Sequence, residues 1–136
     1  MAKLVSDQTL SAFLYAYREK PWRPGHIDCC LFLASWAIWL GHRDPAEHLR
    51  ETYDSEDGFR LHIREAGSVV SLVGVCAARI NAERIQRPAC GSIGVIGSET
   101  NINHQFGAIF DGSQWLVRFV NGVGPMTAKP LAIWAI

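Results

Sequence analysis

Trp22-Arg23-Pro24-Gly25-His26-Ile27-Asp28-Cys29-Cys30-Leu31-Phe32 is the stretch from which the rest of the chain is read, because it places a thiol where a loop turns into a helix. Pro24 and Gly25 interrupt whatever precedes them, Asp28 has the side chain of an N-cap, and Phe32, Leu33, Trp36 and Leu40 follow Cys29 at helical spacing. A helix over about 29–40 is predicted, with Gly41 as the residue past its end. Backbone N–H groups and the positive end of the helix dipole favour a thiolate at its start, where such environments lower a cysteine pKa from about 8.5 to roughly 3.5–7.5. Cys29 is therefore the candidate nucleophile, and Trp22 and Asp28 beside it are the candidate substrate-binding residues.

Upstream, Ser6 or Asp7 can cap a helix over about 8–19 that carries Leu10, Phe13, Leu14 and Tyr17 on one face and stops at Pro21. Downstream, Asp44-Pro45-Ala46-Glu47 reads as a cap, a first-turn proline and a capping-box glutamate, which predicts a short helix toward Tyr53. Ser55 to Ala66 is amphipathic and closed by Gly67. The run from Val69 to Ile80 suits helix or strand by periodicity, and its length and alanines favour helix.

Past Pro88 the pattern shortens to β-branched and aromatic runs at 92–96, 106–110, 115–120 and 131–136, separated by Gly97, Asp111-Gly112, Asn121-Gly122 and Gly124-Pro125. They predict an antiparallel meander. The expected architecture is α+β: one domain over residues 1–136, with a helical N-terminal half packed on a C-terminal antiparallel sheet through the Phe32 and Trp36 face of the Cys29 helix.

At 136 residues, 49% hydrophobic and 19% charged, the chain can bury a core, and its 13 basic and 13 acidic residues cancel. No net field draws it to nucleic acid or to an anionic membrane, so neither is an expected partner, and no apolar stretch approaches a membrane span. The first residues lack the apolar core of a signal peptide, which leads us to expect synthesis in the cytoplasm and four reduced cysteines. His26, Cys29, Cys30 and Cys90 lack the spacing of a zinc site, and Asn101 to Asn103 lack that of a calcium loop; no metal or cofactor is expected.

Trp22, Gly25, Asp28 and Cys29 match the Trp/Tyr-x-x-Gly and Asp-Cys pattern that opens the nucleophile helix of NlpC-type cell-wall cysteine peptidases, which have a papain-like fold. The chain resembles most closely the compact branch of that family carried in the tail modules of phages and gene transfer agents. The shared features are Cys29-Cys30, Gly41-His42-Arg43-Asp44-Pro45, Leu49-Arg50, Tyr53, Ala66-Gly67 and a last strand with Ala132, Trp134 and Ile136. The resemblance spans nearly the whole chain and lies in order and spacing.

It implies a histidine base on the first strands after the helical half, preceding a Gly, and a polar residue on the next strand to orient it. The chain departs from that pattern in three places. Gly91-Ser92 stands for Gly-Asp. The His-x-Gly position reads Gln105-Phe106-Gly107, with His104 one residue early, and strand alternation turns adjacent residues to opposite faces unless a bulge intervenes. The orienting position falls at Val117 or Arg118, with Gln114 or Asn121 as substitutes in another register.

Three functions follow as expectations. In the first, a phage tail-associated, NlpC-like cysteine hydrolase cuts peptide amide bonds of peptidoglycan, with Cys29 as nucleophile, His104 as base and the Cys29 N–H in the oxyanion hole. In the second, a catalytically silent NlpC-like fold serves as a structural or assembly subunit of the tail tip, with other phage tail proteins as partners. Either would be made in the host cytoplasm and incorporated in the virion tail. A cytoplasmic amidase or transferase acting on small acyl groups is a third. His26 is an alternative partner of the thiol, whereas His42, His48 and His62 are read as solvated helix residues. Cys30 is read as packing.

Overall fold

Each helix begins on a side chain suited to cap it. The computed structural model describes residues 6–136. Ser6 opens α1 (Asp7–Tyr17), Asp28 opens α2 (Cys29–Trp39), Ser55 opens α3 (Glu56–Ala66) and Ser68 opens α4 (Val69–Arg79). In all four the capping oxygen accepts a hydrogen bond from an N–H of the first turn that would otherwise have no partner. α2 stops as expected: Gly41 has φ +98°, its N–H donates to Ile38 O, and the His42 N–H donates to Ala37 O, which closes a Schellman turn. The ambiguous run after Gly67 is helical.

The expected helix after Asp44 does not form. The Asp44 side chain does accept from the Ala46 N–H at 3.0 Å, but residues 45–51 make only successive turns. Tertiary demands outweigh the local signals here. Glu51 adopts φ +61° and donates its N–H to Gly25 O, and the Arg50 guanidinium folds back onto Asp44 at 2.5 Å. Consequently, of His42, His48 and His62, only His62 lies on a helix.

Among the described residues, six antiparallel strands form one sheet: β1 (Glu83–Arg84), β2 (Ile93–Gly97), β3 (Gln105–Phe110), β4 (Trp115–Phe119), β5 (Gly122–Pro125) and β6 (Pro130–Ala135). The order β1-β6-β2-β3-β4-β5 corrects the expected simple meander, because β6 returns to lie between β1 and β2. Two strands are additions to the sequence reading. β1 is two exposed residues, and β5 is built from the Gly-Val-Gly-Pro that reads as turn punctuation. A register shift between β2 and β6 at Val95/Ile96 accommodates Pro130 at the start of β6.

The contact between α2 and the sheet also differs from expectation. Gly107 of β3 lies so close to α2 that a Cβ there would stand 2.8 Å from Cys29 O and 3.0 Å from Leu33 Cδ1. The Cys29–Leu33 stripe therefore faces β3. Phe32 and Trp36 instead pack against α1, with the Phe13 ring 5.8 and 5.2 Å from theirs, while the Trp36 indole N–H donates to Gly91 O at 2.9 Å just before β2. α4 covers the β2, β3 and β6 part of the sheet, and α3 packs on α4. Trp36, Trp115 and Trp134 are buried in this core, but Trp39 is 47% exposed.

Candidate functional site

Asp28 is completely buried, and four donors surround its carboxylate. Oδ1 accepts from the Cys30 and Leu31 N–H groups at 3.1 and 2.9 Å, and Oδ2 accepts from the Gly25 N–H at 3.2 Å and the Tyr53 hydroxyl at 2.5 Å. Gly25 is required in this loop, since its φ is +85° and a Cβ would collide with Tyr53 O. The carboxylate thus ties the α2 start to the segment before α3 and faces away from solvent. Burial and the neighbouring Asp28 charge push the Tyr53 hydroxyl well above the usual tyrosine range, so it stays a donor.

Cys29, the first residue of α2, lines a cleft of about 220 Å³ with Trp22, Phe59, Gln105, Phe106 and the β4 residues Val117 to Phe119. The Cys29 N–H forms no hydrogen bond among the described residues. Cys30 turns inward to an apolar cavity that it shares with Leu33, Leu72 and Cys76. The Cys29 thiol beside it, together with burial, pushes the Cys30 thiol up, which suits packing rather than nucleophilic chemistry. All four cysteines are free.

The β2–β3 pairing decides which residue at the start of β3 is turned toward α2. It runs in continuous register from Ile93↔Ile109 to Gly97↔Gln105, with no bulge in β3. Gln105 therefore shares the α2-facing side with Gly107, and His104 lies before the strand on an exposed 3₁₀ turn at Ile102–His104. The His104 Nδ1 is 3.3 Å from Asn101 Nδ2, and His104 does not line the cleft. Gln105 is buried and spends its amide on structure: Oε1 accepts from the Val69 N–H at the start of α4 at 3.0 Å, and Nε2 donates to Ser98 O at 2.9 Å. His26 sits on the loop, 3.9 Å from Glu51 Oε1.

Arg118, one of the two positions the resemblance offers for an orienting residue, is only 4% exposed. Its Nη2 donates to Lys20 O at 2.7 Å, its Nη1 bonds Phe119 O, and its guanidinium lies 5.8 Å from the Trp22 ring. Trp22 and Cys29 are thus brought together, Asp28 lies behind them, and His104 stands apart. Sequence reading places Gln105 and Arg118 only as departures from the family pattern; it does not foresee that Gln105 bonds Val69 and Ser98 or that Arg118 is a buried cation of the cleft. The available signal was a cation inside the otherwise apolar strand Trp115-Leu116-Val117-Arg118-Phe119. Among the described residues, no cluster of three or more His, Cys, Asp or Glu side chains is arranged to hold a metal ion, and no single helix is long and apolar enough to cross a membrane.

Residues 3–136 match the family described as a domain of unknown function, DUF6950, and the chain belongs to that family. No curated protein and no solved structure matches the chain.

Proposed function

We propose that this chain is an NlpC-like domain of papain-like fold that acts by holding a peptide or protein partner at the Cys29 cleft, without cutting it, as a structural or assembly subunit of a phage tail tip. The order of Trp22, Gly25, Asp28-Cys29, Tyr53 and the Trp134 strand along the chain, and a helical half packed on an antiparallel sheet, support the ancestry. The observation that carries the silent reading is Gln105. It occupies the position at which the resembling peptidases carry their base, and both ends of its amide are committed to Val69 and Ser98. A carboxamide neither takes nor gives a proton near neutral pH, so it cannot activate a thiol or protonate a leaving amine.

The hydrolase reading has its own support in Cys29, a thiol on a cleft wall with an unpartnered N–H beside it. It requires the Ile102–His104 turn to swing so that the His104 imidazole reaches the sulfur. Incubating the wild type and Cys29→Ala with purified sacculi separates the two. The silent reading expects identical muropeptide profiles for both proteins, with retained association with co-expressed tail-tip subunits. Soluble peptides released by the wild type but not by Cys29→Ala would overturn it in favour of the Cys29/His104 hydrolase.

A further inference from the structure

We infer that the cleft recognises a carboxylate carried on an apolar peptide, and that Arg118 is the residue that reads it. This assignment rests on the binding role proposed above and gives that role a ligand chemistry. The argument comes from accounting for the polar groups of the cleft. Glu56 is paired with Arg60 at 3.1 Å, and the Arg60 Nη1 also donates to Asn103 O at 3.2 Å. The Gln105 amide is occupied at both ends, and the Asp28 carboxylate behind the wall is saturated. Arg118 is the exception. It lines the cleft almost wholly buried, yet no carboxylate comes within ion-pair distance of it among the described residues.

A guanidinium has five N–H donors, and the two backbone carbonyls that Arg118 reaches leave donors over. A buried cation without a counter-ion is costly, and the cost falls when an anion arrives in a geometry that a planar fork can meet with two parallel bonds. The surrounding walls are apolar: Trp22, Phe59, Phe106 and Val117, with Phe119 and Val120 at 37% and 62% exposed. The unpartnered Cys29 N–H supplies a further donor at the helix start. Apolar walls around one guanidinium without a carboxylate partner fit the C-terminal carboxylate of a peptide ending in an aliphatic residue, with the last side chain against Trp22 and Phe59.

Acetyl-leucyl-leucine with a free carboxylate, and the same peptide as its C-terminal amide, are titrated calorimetrically into the full chain. Backbone amide resonances are followed in parallel. The acid is expected to bind at least about tenfold more tightly than the amide, with shifts at Cys29 and Phe106, and the preference should shrink as salt is raised. Arg118→Gln should abolish the preference by weakening the acid far more than the amide, and Arg118→Lys should keep part of it. If Arg118→Gln does not fold, the wild-type Arg118 Nε–H resonance decides: a shift with acid alone supports the assignment, and equal or no shift overturns it. Acid and amide binding equally at the cleft would overturn the carboxylate role while leaving peptide binding intact. Failure of both peptides to bind overturns the assignment and also removes the peptide-holding part of the proposed function.

Discussion

The Tyr53 hydroxyl donates to the Asp28 carboxylate at 2.5 Å across 25 residues of chain, and this buried bond holds the start of the thiol helix against the segment that leads into α3. It links a local event, the capping of α2, to a tertiary one, the position of the cleft wall at Phe59, whose ring stacks on Tyr53 at 5.5 Å.

Tyr53→Phe removes one of four donors from a fully buried carboxylate and should cost about 1–3 kcal/mol in urea denaturation. Asp28→Asn weakens the cap and the same bond together. The double variant should therefore lose less than the sum of the two, since both single changes break one shared interaction. Additive losses would mean that the two residues act independently.

Two glycines should respond in opposite directions to alanine. Gly107→Ala drives a methyl into Cys29 O and Leu33, so it should destabilise by about 1–3 kcal/mol and shift the resonances of the α2 start. Gly74 lies inside α4, and a Cβ there meets only Trp134 Cζ2 at 3.7 Å, ordinary contact. Gly74→Ala should stabilise by about 0.5–1 kcal/mol through helix propensity. Thermal melts of the pair test the sign directly.

Alkaline pH should destabilise the fold. Burial pushes the Cys76 thiol up to about 11, and burial with the Asp7 contact does the same to Cys90; Cys30, Tyr17 and Tyr53 are also shifted upward. For each, the folded state holds its proton more tightly than the unfolded state. The associated stability is fully present below pH 9 and is lost as pH rises through 11. The melting temperature should be flat from pH 7 to 8.5 and fall by roughly 5 °C or more toward pH 11. A constant value across that range would contradict the assignment.

Cys90 offers a finer test because its thiol donates to Asp7 Oδ1 at 3.2 Å. Asp7→Asn removes a negative charge that opposes the thiolate, while burial, the larger cause of the shift, stays. Iodoacetamide labelling of Cys90 at pH 8, followed by peptide mass mapping, should run several-fold faster in the variant. An unchanged rate would show that the Asp7 contact does not govern this thiol.

The parts of the fold legible in the sequence are those fixed by near neighbours. Asp28 caps the helix that follows it, Gly41 and Gly67 take the positive φ that ends α2 and α3, and the amphipathic run from Ser55 to Ala66 is a helix. Where local and distant demands compete, local reading fails. The Asp44 signals for a helix lose to a backbone bond between Glu51 and Gly25, and Gly122–Pro125 becomes a strand because β4 pairs with it. The candidate site divides in the same way: Cys29 at a helix start was readable, whereas the role of its neighbours depended on strand register.

By itself, then, the sequence determined that a thiol opens a buried helix in an α+β chain, since a cap and an apolar period act within a turn or two of backbone. Only the tertiary structure decided that Gln105 rather than His104 lines the cleft with Cys29, that Tyr53 completes the Asp28 site, and that Arg118 is left buried with no carboxylate partner among the described residues. Those three outcomes depend on pairings across tens of residues, where a shift of one position in β3 exchanges one face of the sheet for the other.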